Sequence, residues 1–586
     1  GTPMKSIRTT SFTLPAMIRQ DGRLWRYLTC AMLLLFTLLG PLTQPIQAAP
    51  DKPGAPGKKV DEAVRQAAAR EPAAQVPVII HRKDGKAALG AVQAHGGKVT
   101  RQLKTKHAVA AEVPAGKLDE LAKDPGITRI SFDAPMLSLG SNEQARPGEK
   151  SADQKVQKSQ QQGTQGPDKT GVLDPADLQT VYPLAVGATE LWTGASPVRG
   201  AGVTVAVLDS GINVNHHDFD GAGPNGKPGP SRVLKQLTKS TGLYGDDDYG
   251  HGTFVAGIVG GRGWGEPSPQ DDGQYVGVAP DVNLVSVKVS DRRGVSRVSQ
   301  VIEGIEWAVA NKDVYNIRVI NLSLISSVAE SYKTSLLDAA VELAWMKGIV
   351  VVVAAGNRGP DTMLYPPAND PYAIVVGATD DMTTATTADD RRVWFSSYGK
   401  TQDGVAKPDL VAPGRRLVST LSGRGDPLAL RYPDRIVERQ YIRLSGTSAA
   451  APVVSGVVAQ ILQARPNLTP DQVKWLLLRT ARAVPGEGTG AGYPQAAAAV
   501  HFAGAVGRAN QGILPNIYVA LAGYTAMTGA LPARLDSVAW DQVPWDRVPW
   551  HQLTWDNVSW DTSSWSTSSW STSSWSTSSW STVAGD

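Results

Sequence analysis

Four residues of this chain have the types and settings that nucleophilic acyl transfer needs. Ser448 stands in Leu444-Ser445-Gly446-Thr447-Ser448-Ala449-Ala450-Ala451-Pro452, a Gly-containing turn that feeds an apolar run over 453–462. This pattern predicts a helix with Ser448 in its first turn, where unpaired backbone N–H groups and the positive end of the dipole favour an oxyanion. A serine hydroxyl is a weak nucleophile until a base takes its proton. His251, in Asp248-Tyr249-Gly250-His251-Gly252-Thr253-Phe254, is the candidate base, and Asp209, closing Val205-Ala206-Val207-Leu208-Asp209, is the candidate partner that orients the imidazole. Asn357 ends Val351-Val352-Val353-Ala354-Ala355-Gly356-Asn357 and carries an amide able to donate to an oxyanion. Each residue alone also has a structural reading, as a helix cap, a turn residue or a glycine-bracketed histidine. Together they gain weight because each ends or follows a buried-strand pattern.

The elements that must position them are legible as apolar runs. Residues 203–208, 284–289, 319–322, 349–354 and 373–376 lack polar alternation, and helical patterns at 299–310 and 334–346 lie between them. Such strands, separated by helices, predict an α/β fold with a mostly parallel sheet covered by helices on both faces. In sheets of this kind, sites form outside the carboxyl ends of the strands. Thr469-Pro470-Asp471-Gln472 predicts a late helix with a capping box and proline at its first position.

With 586 residues, the chain is long enough for several segments. Its net charge of +4 is too mild to indicate a nucleic-acid partner. A basic stretch, the apolar run 31–39 and the small residues Ala48 and Ala49 predict a signal peptide over 1–49, and hence a secreted, extracellular or cell-surface protein. The single cysteine, Cys30, falls in that segment, so the mature chain is expected to have no thiol chemistry. Residues 50–75 read as a linker. Residues 76–139 carry two βαβ-like halves and predict a small α+β module. The Gln- and Lys-rich stretch 140–177 reads as a disordered tether, 178–505 as the large α/β domain, and 506–536 as a further linker. In 537–586, Trp recurs every five residues from Trp540 to Trp580, which leaves two readings: a disordered tail, or a repeat that docks on an envelope or polysaccharide surface.

Asp209-Ser210-Gly211-Ile212, His251 within Gly-His-Gly-Thr-Phe-Val-Ala-Gly, Gly277-Val278-Ala279-Pro280, Asn321-Leu322-Ser323-Leu324, Ala354-Ala355-Gly356-Asn357, Lys407-Pro408-Asp409-Leu410-Val411-Ala412-Pro413-Gly414 and Gly446-Thr447-Ser448-Ala449-Ala450-Ala451-Pro452 together resemble the subtilisin family of serine proteases over 178–505. The resemblance implies a secreted serine endopeptidase made as a zymogen, with Asp209, His251 and Ser448 as its triad and Asn357 with the Ser448 N–H as oxyanion donors. It implies that protein substrate lies as an added strand between Gly294-Val295-Ser296 and Ser323-Leu324-Ile325. Residues 76–139 would then be an inhibitory propeptide, with 133–137 as a product-like tail. Ile325-Ser326 departs from the family's usual Gly-Gly, which predicts a narrowed or reshaped pocket. Arg292, Arg293, Arg297 and Arg358 fall in segments that would rim the cleft, which raises a preference for acidic residues near the scissile bond or else a plain solvated surface. The chemistry needs no cofactor; the family allows structural calcium, for which Asp271-Asp272-Gly273 is the candidate loop. A different class of function, a catalytically dead relative that binds surfaces through its Trp repeat, is the alternative reading.

Overall fold

A computed structural model describes residues 59–82, 87–103, 108–138, 173, 175–222, 228–240, 246–264 and 273–530, with short pieces between 538 and 549. The expected signal peptide, the segment 139–172 and the repeated Trp residues lie outside them.

The small module opens with α1 (Glu62–Arg70), followed by β1 (Gln75–Arg82), α2 (Ala87–Ala94), β2 (Lys98–Gln102), β3 (Ala108–Pro114), α3 (Leu118–Leu121) and β4 (Ile127–Phe132). Its four strands form an antiparallel sheet in the order β2-β3-β1-β4. Val60 and Val64 belong to its apolar core, beside Val78, Ile80, Val113 and Ile130. The Asp61 N–H donates to the Ile130 carbonyl at 3.0 Å. This corrects the reading of 50–75 as a linker: from Val60 onward the chain is part of the module. A domain this small is marginal alone and gains from a partner surface.

The last strand of this region, β5 (Pro135–Ser138), leaves the module and enters the large domain. That domain contains β6 (Thr204–Asp209), β7 (Val233–Thr238), α4 (His251–Gly260), β8 (Asn283–Lys288), β9 (Val295–Arg297), α5 (Val298–Ala310), β10 (Ile317–Leu322) and β11 (Leu324–Ser326). There follow α6 (Leu336–Met346), β12 (Val350–Ala354), β13 (Ile374–Asp380), β14 (Arg391–Arg392), β15 (Leu410–Pro413), α7 (Thr447–Ala464), α8 (Pro470–Thr480) and α9 (Ile517–Thr528).

The main sheet runs β14-β13-β12-β10-β6-β8-β7, with β15 beside β13, and every pairing except β13 with β14 is parallel. Every residue of β6, β12 and β13 is buried. Successive strand side chains point to opposite faces, so burial at every position means that both faces are covered. The α/β architecture is therefore the one the apolar runs predict. Helix α7 is long and apolar enough to cross a membrane by composition, yet 89% of it is buried inside the protein, as a central core helix would be.

Two further boundaries differ from the sequence reading. Residues 506–536 are not a linker throughout, because α9 is a buried helix seated by Asn516 on α6. The Asn516 N–H donates to Glu342 Oε2 at 2.6 Å, and its Nδ2 to the Ser335 carbonyl at 2.8 Å. At the end of the expected tether, Leu173 packs with Trp192 and Val276, so the large domain begins before residue 178.

Candidate active site

Asp209 is the last residue of β6, the strand flanked by β10 and β8 at the middle of the sheet. Its two carboxylate oxygens lie 2.8 and 2.9 Å from His251 Nδ1, and both side chains are fully buried. A carboxylate oxygen accepts, so these contacts call for the proton on Nδ1. Nε2 has no hydrogen-bond partner among the described residues.

His251 opens α4, and the two glycines beside it are required by space. A Cβ at Gly250 (φ +101°) would meet the Asp426 carboxylate at 2.7 Å, and one at Gly252 would overlap the Gly211 carbonyl at 2.1 Å. The α4 N-terminus can thus approach the end of β6 closely enough for the imidazole to reach Asp209. Asp247 locks that approach. It accepts the Ser210 hydroxyl at 2.7 Å and the N–H groups of Gly250 and Thr253, each at 2.8 Å. Burial raises the Asp247 carboxyl above its usual pKa, against the pull of those bonds.

Ser448 is the second residue of α7, in the turn whose N–H groups lack helical partners. Its neighbour Thr447 organises the surroundings: Asn357 Oδ1 accepts the Thr447 N–H at 2.9 Å and its hydroxyl at 3.0 Å, while that hydroxyl accepts the Gly356 N–H at 3.0 Å. With its carbonyl end held on Thr447, the Asn357 amide turns its NH₂ end the other way. A second chain reaches Ser448 from the core. Ser455 donates to Asn321 Oδ1 (2.9 Å), Asn321 Nδ2 to Ser323 Oγ (3.0 Å), and Ser323 Oγ to the Ser448 carbonyl (3.1 Å). Asp247, Thr447 and Ser455 are absent from the sequence-derived site. Only Ser455 carries a local signal, a hydroxyl within the apolar and small run 453–459.

The structure brings the predicted substrate-binding segments together around a strand of the chain itself. β5 is the middle strand of a three-stranded antiparallel sheet, between β9 and β11. Leu137 faces Val295 and Met136 faces Ser296 on one side; Ser138 faces Leu324 and Leu137 faces Ile325 on the other. The Ser138 N–H donates to the Gly294 carbonyl at 2.9 Å. Ile325 is buried, and its Cδ1 lies 3.0 Å from where a Cβ on Gly356 would stand, so it packs under the residue before Asn357. Of the four arginines, Arg297 alone is seen to touch the inserted segment, through the Asp133 carbonyl at 3.1 Å. Arg293 turns back to Asp291, and the Arg358 guanidinium lies over the Tyr365 ring at 3.7 Å. Arg292 is exposed.

Among the described residues, no group of three or more His, Cys, Asp or Glu side chains is arranged to hold a metal ion. Asp271 and Asp272 lie outside them.

The subtilase family model matches residues 200–503. Serine protease AprX of Bacillus subtilis (strain 168) is 40% identical over 299 residues, covering 50% of this chain and 63% of AprX. Subtilisin-like protease 2 of Trichophyton equinum is 34% identical over 280 residues, 47% of this chain and 53% of that protein. The chain thus spans less than two thirds of either relative. An extracellular serine proteinase of Thermus sp. (strain Rt41A) is 33% identical over 371 residues, 63% of this chain and 70% of the proteinase. Among solved structures, fervidolysin from Fervidobacterium pennivorans, a keratinolytic enzyme related to subtilisin, superposes with a TM-score of 0.51 at 25% identity, over 74% of this chain and 61% of fervidolysin.

Proposed function

Because the chain belongs to the subtilase family, we propose that it is a serine endopeptidase made as an inhibited zymogen. Ser448 Oγ attacks a peptide carbonyl while His251 Nε2 takes its proton, then returns that proton to the leaving amine. Asp209 holds the reactive tautomer and stabilises the imidazolium. The Ser448 N–H and the Asn357 amide donate to the oxyanion, where preorganised donors lower the barrier most.

The observation that carries this reading is the pairing of β5 in the cleft. The protein's own chain lies there as a substrate strand would, between the two segments expected to bind substrate. Its register supports a proposal for the processing bond. Ser138, the last described residue of β5, faces Leu324, the neighbour of Ser323, whose hydroxyl holds the Ser448 carbonyl. Leu139 lies outside the described residues; continuing the register makes it the residue whose carbonyl Ser448 attacks, and Leu139-Gly140 the bond cut. Residues from Val60 to Leu139 are then the inhibitor.

Export through residues 1–49 is part of the same proposal, supported by the extracellular relative from Thermus. The Trp repeat is proposed as an envelope or polysaccharide anchor, testable by sedimentation of the full chain with such fractions. The decisive experiment is labelling with a fluorophosphonate: Ser448 reacts once the pro segment is removed, and Ser448→Ala does not. Folded, processed protein that stays unlabelled would exclude the proposal.

A further inference from the structure

The pro segment is held beyond the three-stranded sheet. Upstream of Met136, which is fully buried, the Pro135 carbonyl accepts the Ser327 N–H at 2.9 Å and the Ala134 carbonyl accepts the Val298 N–H at 3.0 Å. One residue further, the Asp133 carboxylate accepts the Ser299 N–H at 2.9 Å and the Ser299 hydroxyl at 2.8 Å. The Arg297 guanidinium bonds the Asp133 carbonyl at 3.1 Å. Asp133 and Ser299 are each 2% exposed. Ser299 is the second residue of α5, a helix of 13 residues, so the carboxylate also faces the positive end of a dipole.

Every donor in this series belongs to the large domain: Ser327, Val298, Ser299 and Arg297. All of them stay behind when the pro segment leaves. They would then line a channel that holds six successive described residues, from Asp133 to Ser138. The geometry points to an extended non-prime cleft whose outermost subsite, built from Ser299 and Arg297, selects protein substrates with an acidic residue six positions before the one whose carbonyl is attacked. This rests on the proposed peptidase activity and on the register that makes Leu139 the attacked residue.

The chain turns at Asp133, where the Ala134 N–H reaches the Phe132 carbonyl at 2.9 Å. Tight turns of this kind are common at strand ends, so a peptide need not be folded to reach the seat. The rim arginines carry less of the acid preference than their charge suggests, because Arg293 is spent on Asp291 and Arg358 on Tyr365. Selectivity instead falls at a distance, on Ser299 and the half-buried Arg297.

The test uses the processed full-length enzyme and internally quenched peptides built on Asp-Ala-Pro-Met-Leu-Ser-Leu-Gly-Ser, with Asp, Asn or Lys in first place. Replacing Asp by Asn is expected to lower kcat/KM about tenfold, mainly through KM, because a charge-assisted pair is lost that ground state and transition state share. Lys lowers it further. In Ser299→Ala the Asp-to-Asn ratio narrows, and Arg297→Glu reverses the order of Asp and Lys. Equal rates for the three peptides, all cut between Leu and Gly, would overturn the subsite and leave the peptidase proposal standing. Cutting of none of them would overturn both.

Discussion

Asn357 Oδ1 is bonded twice by Thr447, the residue immediately before Ser448, so the proposed side-chain oxyanion donor and the proposed nucleophile share one anchor. The two residues should nevertheless fail differently. Ser448→Ala removes the nucleophile and is expected to lower kcat by about 10⁶. Asn357→Ala removes one of two donors and is expected to cost about 10²–10³, with KM little changed. Equal losses on folded protein, measured with one peptide substrate, would contradict the assignment.

The register of β5 predicts where the mature enzyme begins. N-terminal sequencing or intact mass of the processed protein should give Gly140. Leu139→Asp should slow processing, because a charge at the residue proposed to be attacked would have to lose its hydration on entering the cleft. A mature N-terminus more than one residue from Gly140 would refute the register.

Two arginines clamp the small module to the large domain. Arg101 pairs with Glu303, and Arg129 bonds Asp61 at 2.6 Å, Glu330 at 2.9 Å and the Thr334 carbonyl at 2.7 Å. Arg129→Met leaves Glu330 without its cation across the boundary and Asp61 without it inside the module, which is expected to weaken docking. The lag between cleavage at Leu139 and full activity should shorten in this variant. In the wild type, 1 M salt should shorten the same lag less, since partly buried pairs are screened only in part.

His81 makes docking and module stability depend on pH. Burial, and after it the charge of Arg129, hold the imidazole well below its usual value of 6.5. The folded protein therefore keeps His81 neutral while the unfolded chain protonates it. The contribution is complete above about pH 6.5 and is lost as pH falls below that value, at up to about 1.4 kcal/mol per pH unit. In a Ser448→Ala background, His81→Phe should flatten the fall in Tm between pH 7 and 5.5. An unchanged slope would show that other groups govern it.

How much of this was legible in the sequence follows from how far each partner lies along the chain. The parallel strands are unbroken apolar runs, and the capping box of α8 is local: the Thr469 N–H meets Gln472 Oε1 at 2.9 Å, and the Gln472 N–H meets Thr469 Oγ1 at 3.3 Å. Both can be read directly. Thr447 and Ser455 act through Asn357 and Asn321, each some 90 residues or more away, and no local pattern marks such pairs. Helix α1 has a core face made of Ala63, Val64, Ala67 and Ala68, mostly alanines that give a weak apolar signal, and α9 is apolar on most sides with no clean amphipathic stripe. Both therefore pass for linker.

The seating of α9 has a consequence for timing. The Tyr518 ring lies 6.0 Å from the ring of His81, although more than four hundred residues separate them. During synthesis the small module emerges first, the nucleophile much later, and Tyr518 later still. The surface that receives the small module, the proposed inhibitor, is therefore finished only after the proposed triad has left the ribosome. Contacts this far apart in sequence form slowly, so a nascent molecule passes through an interval in which its catalytic machinery is translated but the lock on it is incomplete.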